Sequence, residues 1–194
     1  MVTRTKITPS STLAVELAEV KAYIRMHDGT AEDDEVEDCI KSATDYCEGK
    51  ANRSFLTSTW QVVAPSFFAD EIRLSVDTLS VTSVIYTDTN GTDQTAEAST
   101  YLADTDSFVG TVRPLFNASW PDTRPSTPNA VRITYTAGYG ATVASLPTQA
   151  TRAIKFMSAY YFLHRLPIIT GTIVAKLPET VDALLAQIAA PEII

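Results

Sequence analysis

The apolar residues of this chain change their period twice, and that change limits the architecture more than any single residue does. Leu13, Leu17, Val20 and Ile24 recur at helical spacing, as do Val36, Ile40, Ala43 and Cys47. From Thr59 the period falls to two. Val, Ile, Thr and Tyr enrich short runs at Trp60–Ala64, Glu71–Leu74, Val81–Thr87, Thr100–Ala103, Val109–Arg113 and Val131–Thr136, each bounded by turn residues. After Leu146-Pro147 the helical period returns with Ala150, Ile154, Met157, Tyr161 and Leu163, and again with Leu184, Leu185 and Ile188. The pattern predicts an α+β protein: an N-terminal αα-hairpin, an antiparallel β-rich middle, and C-terminal helices that pack on the hairpin.

Local chemistry supplies the punctuation. Ser11 or Thr12 can cap the first helix and Asp28-Gly29 can stop it. Thr30 with Asp33 resembles a capping box for the second helix, and Gly49 is its expected end. Asn90-Gly91 is a strong hairpin signal. Four prolines between Pro114 and Pro128 surround Trp120 and predict an extended, ordered loop. The third helix should end before Pro167. A link containing Gly171 leads to Pro178, a favourable first-turn proline for the last helix. The expected organisation is residues 1–58 and 138–194 as one helical core, with residues 59–137 as an inserted β-rich lobe.

Charge is distributed unevenly. The net charge is −8, and residues 16–48 carry eleven acids against Lys21, Arg25 and Lys41, so that segment alone accounts for it. The helix holding Arg152, Lys155 and nearby Arg165 has no acid. This balance disfavours a general nucleic-acid clamp, which needs a basic face to neutralise phosphates. Cys39 and Cys47, eight apart on one helix, would lie about 12 Å apart, beyond disulfide reach. They read as reduced helix-face residues. No charged-then-apolar leader opens the chain, and Ile154–Leu163 is too short and too closely flanked by charge to span a bilayer. The expectation is a soluble protein made in the cytoplasm. The sequons at Asn52, Asn90 and Asn117 read as chance in a Ser/Thr-rich chain.

Catalytic and metal patterns fail on spacing. The acids between Asp28 and Asp38 are contiguous and lack the sixth-position glycine of a calcium loop, so they read as a solvated helix start favoured by its dipole. His27 and His164 lie at the ends of different helices without a ligand or acid partner at useful spacing, and there is no G-x-S-x-G. Gly138-Tyr139-Gly140 lacks the lysine of a phosphate loop and suits a strand-to-loop turn. Asp104 and Asp106 read as turn formers. Tyr160, Tyr161 and Phe162 with Arg165 could stack on nucleic acid, but consecutive aromatics on a helix diverge, so core packing is the stronger reading. Ile193 and Ile194 at the chain end either fray or insert into a partner. Neither a cofactor nor a metal is expected, and the chain does not read as an enzyme.

The residues do resemble a family. Lys21-Ala22-Tyr23-Ile24-Arg25, Asp34-Glu35-Val36, Ala43, Glu48, Arg53 and Thr59-Trp60 follow the order seen in the head–tail connector (adaptor, or head-completion) proteins of long-tailed phages. Tyr135-Thr136-Ala137-Gly138-Tyr139-Gly140, then Leu146-Pro147, then Tyr161 and Arg165, is similar to the family's Ala-Gly-Tyr-Gly stretch and its proline-started helix. Gene transfer agents carry a similar adaptor. The family's leucine before arginine is Ile24 here, and its Gly-Arg is Asn52-Arg53. The resemblance implies a virion protein of the head–tail junction, in the host cytoplasm before assembly. It implies a homo-oligomeric ring, commonly of twelve, docked between the portal protein and a stopper or tail-completion protein. DNA passes through the ring without sequence-specific binding, and no membrane is involved. It implies a C-terminal segment that inserts into the portal, for which Leu184, Leu185, Ile188, Ile193 and Ile194 are the candidates. Glu32, Asp34 and Glu35 either line the channel, where like charge would keep DNA from adhering, or face outward into solvent. A tail terminator or other head- or tail-completion protein is the alternative.

Overall fold

The computed structural model describes residues 2–26, 29–67, 70–164 and 179–191. Two compact units emerge, each built from separated stretches of chain. One joins the segment ending at Pro9 to Thr57–Gly138; the other joins Ser10–Leu56 to the segment beginning at Tyr139.

The first unit is all β. Its strands are β1 (Thr3–Thr8), β2 (Ser58–Ala64), β3 (Ile72–Val76), β4 (Thr78–Thr87), β5 (Asp93–Thr95), β6 (Tyr101–Asp104), β7 (Val109–Pro114) and β8 (Val131–Ala137). They form a five-stranded sheet in the order β1-β2-β8-β4-β5 and a three-stranded sheet in the order β3-β7-β6. Every pairing is antiparallel. Strand β8 lies at the centre because alternate residues Val131, Ile133, Tyr135 and Ala137 are all buried, with β2 and β4 hydrogen-bonded on its two sides. With Val62, Ile72, Leu74, Val84 and Val112 they make the core of this unit. The buried Tyr135 hydroxyl is satisfied by Ser75 Oγ at 2.6 Å.

The hairpin signal at Asn90-Gly91 is realised between β4 and β5. Gly91 takes φ 88°, and Asp88 Oδ1 accepts the amides of Asn90 and Thr92. Gly110 on β7 is needed for space, because a Cβ there would collide with the Thr78 side chain. Strand β1 is absent from the sequence expectation. Its one apolar residue, Ile7, is exposed and sets no alternation, so periodicity cannot find it; it forms by lying along β2, with Thr3 opposite Val63 and Lys6 opposite Trp60.

The second unit is helical: α1 (Leu17–Tyr23), α2 (Asp33–Ala51), a 3-10 turn at Val143–Ser145, α3 (Thr148–Leu163) and α4 (Glu179–Ala186). Its core takes Val20 from α1, then Val36, Ile40, Ala43, Cys47 and Ala51 from α2. Ala150, Ala153, Ile154 and Met157 come from α3, and Val181 and Leu185 from α4. The predicted stripe of α2 is buried, as is that of α3 through Ala150, Ile154 and Met157; Tyr161 is only partly buried and Leu163, also placed on that stripe, is exposed. Pro147 opens α3 as expected.

Two expectations fail. The first arm of the hairpin spans seven residues instead of running from Ser11 or Thr12 to Asp28. Ala14 and Val15, which lie off the helical stripe, are both buried in the core. The chain reaches them in non-helical conformation, and Arg25 at φ 56° ends the helix. The second helix also passes its predicted stop at Gly49 and continues to Ala51. Asn52 takes the left-handed cap instead, at φ 51° and ψ 42°. His27, Asp28, Arg165, Pro167, Gly171, Pro178, Ile193 and Ile194 lie outside the described residues.

Candidate assembly interfaces

Within the helical unit a short chain segment ties three stretches together. Asn can occupy the left-handed cap because its side chain substitutes for a backbone contact. Here Asn52 Nδ2 donates to Pro191 O at 2.9 Å, and Ala190 N donates to Ala51 O at 2.8 Å. Next in sequence, Arg53 Nη1 donates to Ile188 O at 2.7 Å while its guanidinium lies 4.5 Å from the centre of the Tyr139 ring. Tyr139 in turn stacks beside Phe55, and its amide donates to Phe55 O at 2.9 Å. The buried Glu48 carboxylate accepts the Phe55 amide at 2.6 Å. The two motifs singled out in the sequence, Asn52-Arg53 and Gly138-Tyr139-Gly140, thus meet and clasp the segment that follows α4.

That clasp changes the reading of the chain end. Leu185 is only 2% exposed, and Leu184 and Ile188 pack partly buried against the same core. These three residues already have a core to fill within the helical unit. An apolar run near a terminus signalled burial correctly but could not say in which molecule.

The acidic start of α2 is solvent-facing: Glu32, Asp34 and Glu35 are exposed. Asp33 is tied inward by Lys21 at 2.5 Å, and the same ammonium donates to Gly29 O at 2.7 Å. Three acids in the first turn also suit the helix dipole. Opposite in character is α3, which has no acid and carries Arg152 and Lys155. Lys155 bonds Glu19 of α1 at 2.5 Å, and Arg152 lies over the Phe156 ring at 5.4 Å. Tyr160, Tyr161 and Phe162 diverge as predicted: Tyr161 and Phe162 pack against the core, and Tyr160 stacks on the His164 ring at 4.5 Å.

Chemically reactive groups are muted. Cys47 is fully buried, and burial, reinforced by the neighbouring Glu48 charge, pushes its thiol up to about 12. Asp104 acts as a turn former: hydrogen bonds from the Ser107 hydroxyl and amide and from the Asp106 amide hold its carboxyl below the usual range. Among the described residues no group of three or more His, Cys, Asp or Glu is placed to hold a metal ion. None of their helices is long and apolar enough to cross a membrane.

In the β unit the proline-rich segment is ordered by Trp120, which stacks on Phe67 with ring centroids 4.4 Å apart and planes 4° from parallel. A cleft of about 550 Å³ beside it is lined by residues including Tyr86, Glu97, Trp120 and Asp122. It offers carboxylates and an indole face, with no histidine, cysteine or lysine in its lining. Phe116, which no sequence signal flagged, is 93% exposed on a turn closed by Ala118 N donating to Leu115 O.

No protein-family model matches the sequence, and no curated protein matches it. Solved structures do. A chain in the neck of an empty gene transfer agent (GTA) particle computed with C6 symmetry has a TM-score of 0.79 at 21% identity, over 99% of this chain and 97% of that one. A chain in the virion of a native GTA particle has a TM-score of 0.76 at 21% identity, over 98% and 97%. A chain in the neck of a native GTA particle computed with C12 symmetry has a TM-score of 0.75 at 18% identity, over 99% and 97%. At these identities the likeness establishes the fold: along nearly its whole length, this chain is built like chains of GTA particles.

Proposed function

We propose that the chain is a structural subunit of a particle neck, a connector or adaptor that forms a ring between the portal and a stopper or tail-completion protein. The observation that carries this reading is the full-length fold shared with chains of GTA particle necks, one computed with C6 and one with C12 symmetry. The order of sequence motifs resembling the connector proteins supports it independently. The work of such a ring is geometric: it holds a channel open for DNA and presents docking surfaces above and below. Immunogold labelling of particles from the source cells tests the location. Label confined to the head–tail junction is the expected result, and label spread over the head or along the tail overturns it.

In this reading the chain end contacts the portal. The apolar candidates divide by role: Leu184, Leu185 and Ile188 serve the subunit's own core, and Ile193 and Ile194 are the residues that engage the portal. Truncation after Pro191 spares Leu185 and is the clean test. The shortened chain should keep its near-ultraviolet circular dichroism and lose portal binding; unchanged binding removes the insertion. Glu32, Asp34 and Glu35 would face the channel, where their charge acts on DNA over about 8 Å at physiological salt. Reversing all three charges should impair DNA ejection, and normal particle yield with normal ejection sinks that assignment.

A further inference from the structure

Helices α2 and α3 pack against each other, so each carries its exposed stripe on the side turned away from the other. On α3 that stripe is Arg152, Phe156 and Leu163, at i, i+4 and i+11. Phe156 is half-buried beside Tyr23 of α1, ring centroids 5.6 Å apart, with the Arg152 guanidinium 5.4 Å from the centre of its ring. Leu163 is 67% exposed and Tyr23 is 51% exposed. This face is apolar at its centre and carries the cationic Arg152 at its edge, while Lys155 beside it is already paired with Glu19. On α2 the outward flank is Glu37, Asp38, Lys41, Ser42 and Asp45, three acids against one base. It is the side of the helix, distinct from the first turn that holds Glu32, Asp34 and Glu35.

We propose that these two faces are the two halves of the contact between neighbouring copies of this chain: the Tyr23–Arg152–Phe156–Leu163 face of one copy lies on the Glu37–Asp45 flank of the next. The inference rests on the ring reading and says how the ring closes. A closed ring is heterologous, so it needs two different patches pointing away from each other, as these do. Charge selects the same pairing. A two-fold contact of α3 on α3 would oppose Arg152 to its own copy, and α2 on α2 would oppose two flanks that each carry three acids against Lys41. Only α3 on α2 brings opposite signs together. The exposed Tyr23 and Leu163 supply the apolar surface that such a contact buries.

Sedimentation velocity on the full chain tests the contact, with near-ultraviolet circular dichroism as the folding control. Arg152, Asp38 and Asp45 are exposed, so their substitution leaves the core untouched. Asp38→Lys with Asp45→Lys, and separately Arg152→Glu, should each shift ring-sized species to monomer. The three substitutions combined should restore the ring. Rings that survive both single-sided sets overturn the contact while leaving the ring reading intact. A wild-type chain that stays monomeric at every concentration, alone and with portal, overturns both.

Discussion

The two units of this molecule hold themselves together by different means. In the β unit a continuous backbone ladder runs from β1 through β2, β8 and β4 to β5, and side chains fill one core beneath it. In the helical unit, among the described residues, no ladder links the stretch before Leu56 to the stretch after Tyr139 beyond a single bridge from Leu56 to Gly140. There the join depends on apolar packing and a few side-chain ties from Asn52, Arg53 and Glu19. Function follows that difference: the sheet resists local change, whereas the helical unit concentrates the motifs, the charge asymmetry and the chain end in one place.

The comparison breaks most visibly in the helical core. Ile154→Ala and Leu185→Ala each remove a buried branched side chain and should cost about 2–5 kcal/mol in denaturant unfolding. Leu185 is the sharper case, since a neutral result would mean that α4 is not a working part of the core. Next comes Glu48→Ala, which leaves the buried Phe55 amide without its acceptor and should cost about 1–3 kcal/mol, while Glu48→Gln, which can still accept, should cost less. Arg53→Lys keeps the charge but loses the planar guanidinium that bonds Ile188 O and covers Tyr139 at once; about 1 kcal/mol is expected, with earlier hydrogen exchange in residues 179–191. Smallest should be Lys155→Ala. Its bond to the half-exposed Glu19 is screened by solvent and should contribute under about 1 kcal/mol.

Cys47 adds a pH dependence to the helical unit. The folded thiol titrates near 12, above its ordinary value of 9.0, so the unfolded chain ionises first as pH rises. The stability tied to the neutral thiol is fully present below pH 9 and is lost between pH 9 and about 12. Cys47→Ser should flatten that alkaline loss, and iodoacetamide at pH 8.5 should label the folded wild-type chain only as fast as it opens. Rapid labelling of the native protein would contradict the burial.

Much of this organisation was readable in the sequence, and the reasons it was not always so are physical. Alternation in Val131–Ala137 and the 3.6-residue period of α2 and α3 expose their buried faces directly, because packing imposed that spacing. Strand β1 carries no such imprint: a threonine-rich edge strand is stabilised by backbone bonds that any residues could make. The short α1 escaped for the opposite reason, since its stripe is real but Ala14 and Val15 are buried without belonging to it. Asn52 takes a left-handed cap that glycine more often fills, and its side chain adds a bond to Pro191 that glycine could not make. The destination of Leu185 was beyond sequence, because burial inside a subunit and burial in a partner select the same side chains.

The account turns on this chain being a ring subunit of a particle neck. The most direct measurement is a cryo-electron microscopy reconstruction of necks purified from the source particles. The account predicts a closed ring of this fold beneath the portal, with α3 of each copy against α2 of the next. Necks that contain no such ring, or a ring built from another fold while this chain is absent from the particles, would contradict it.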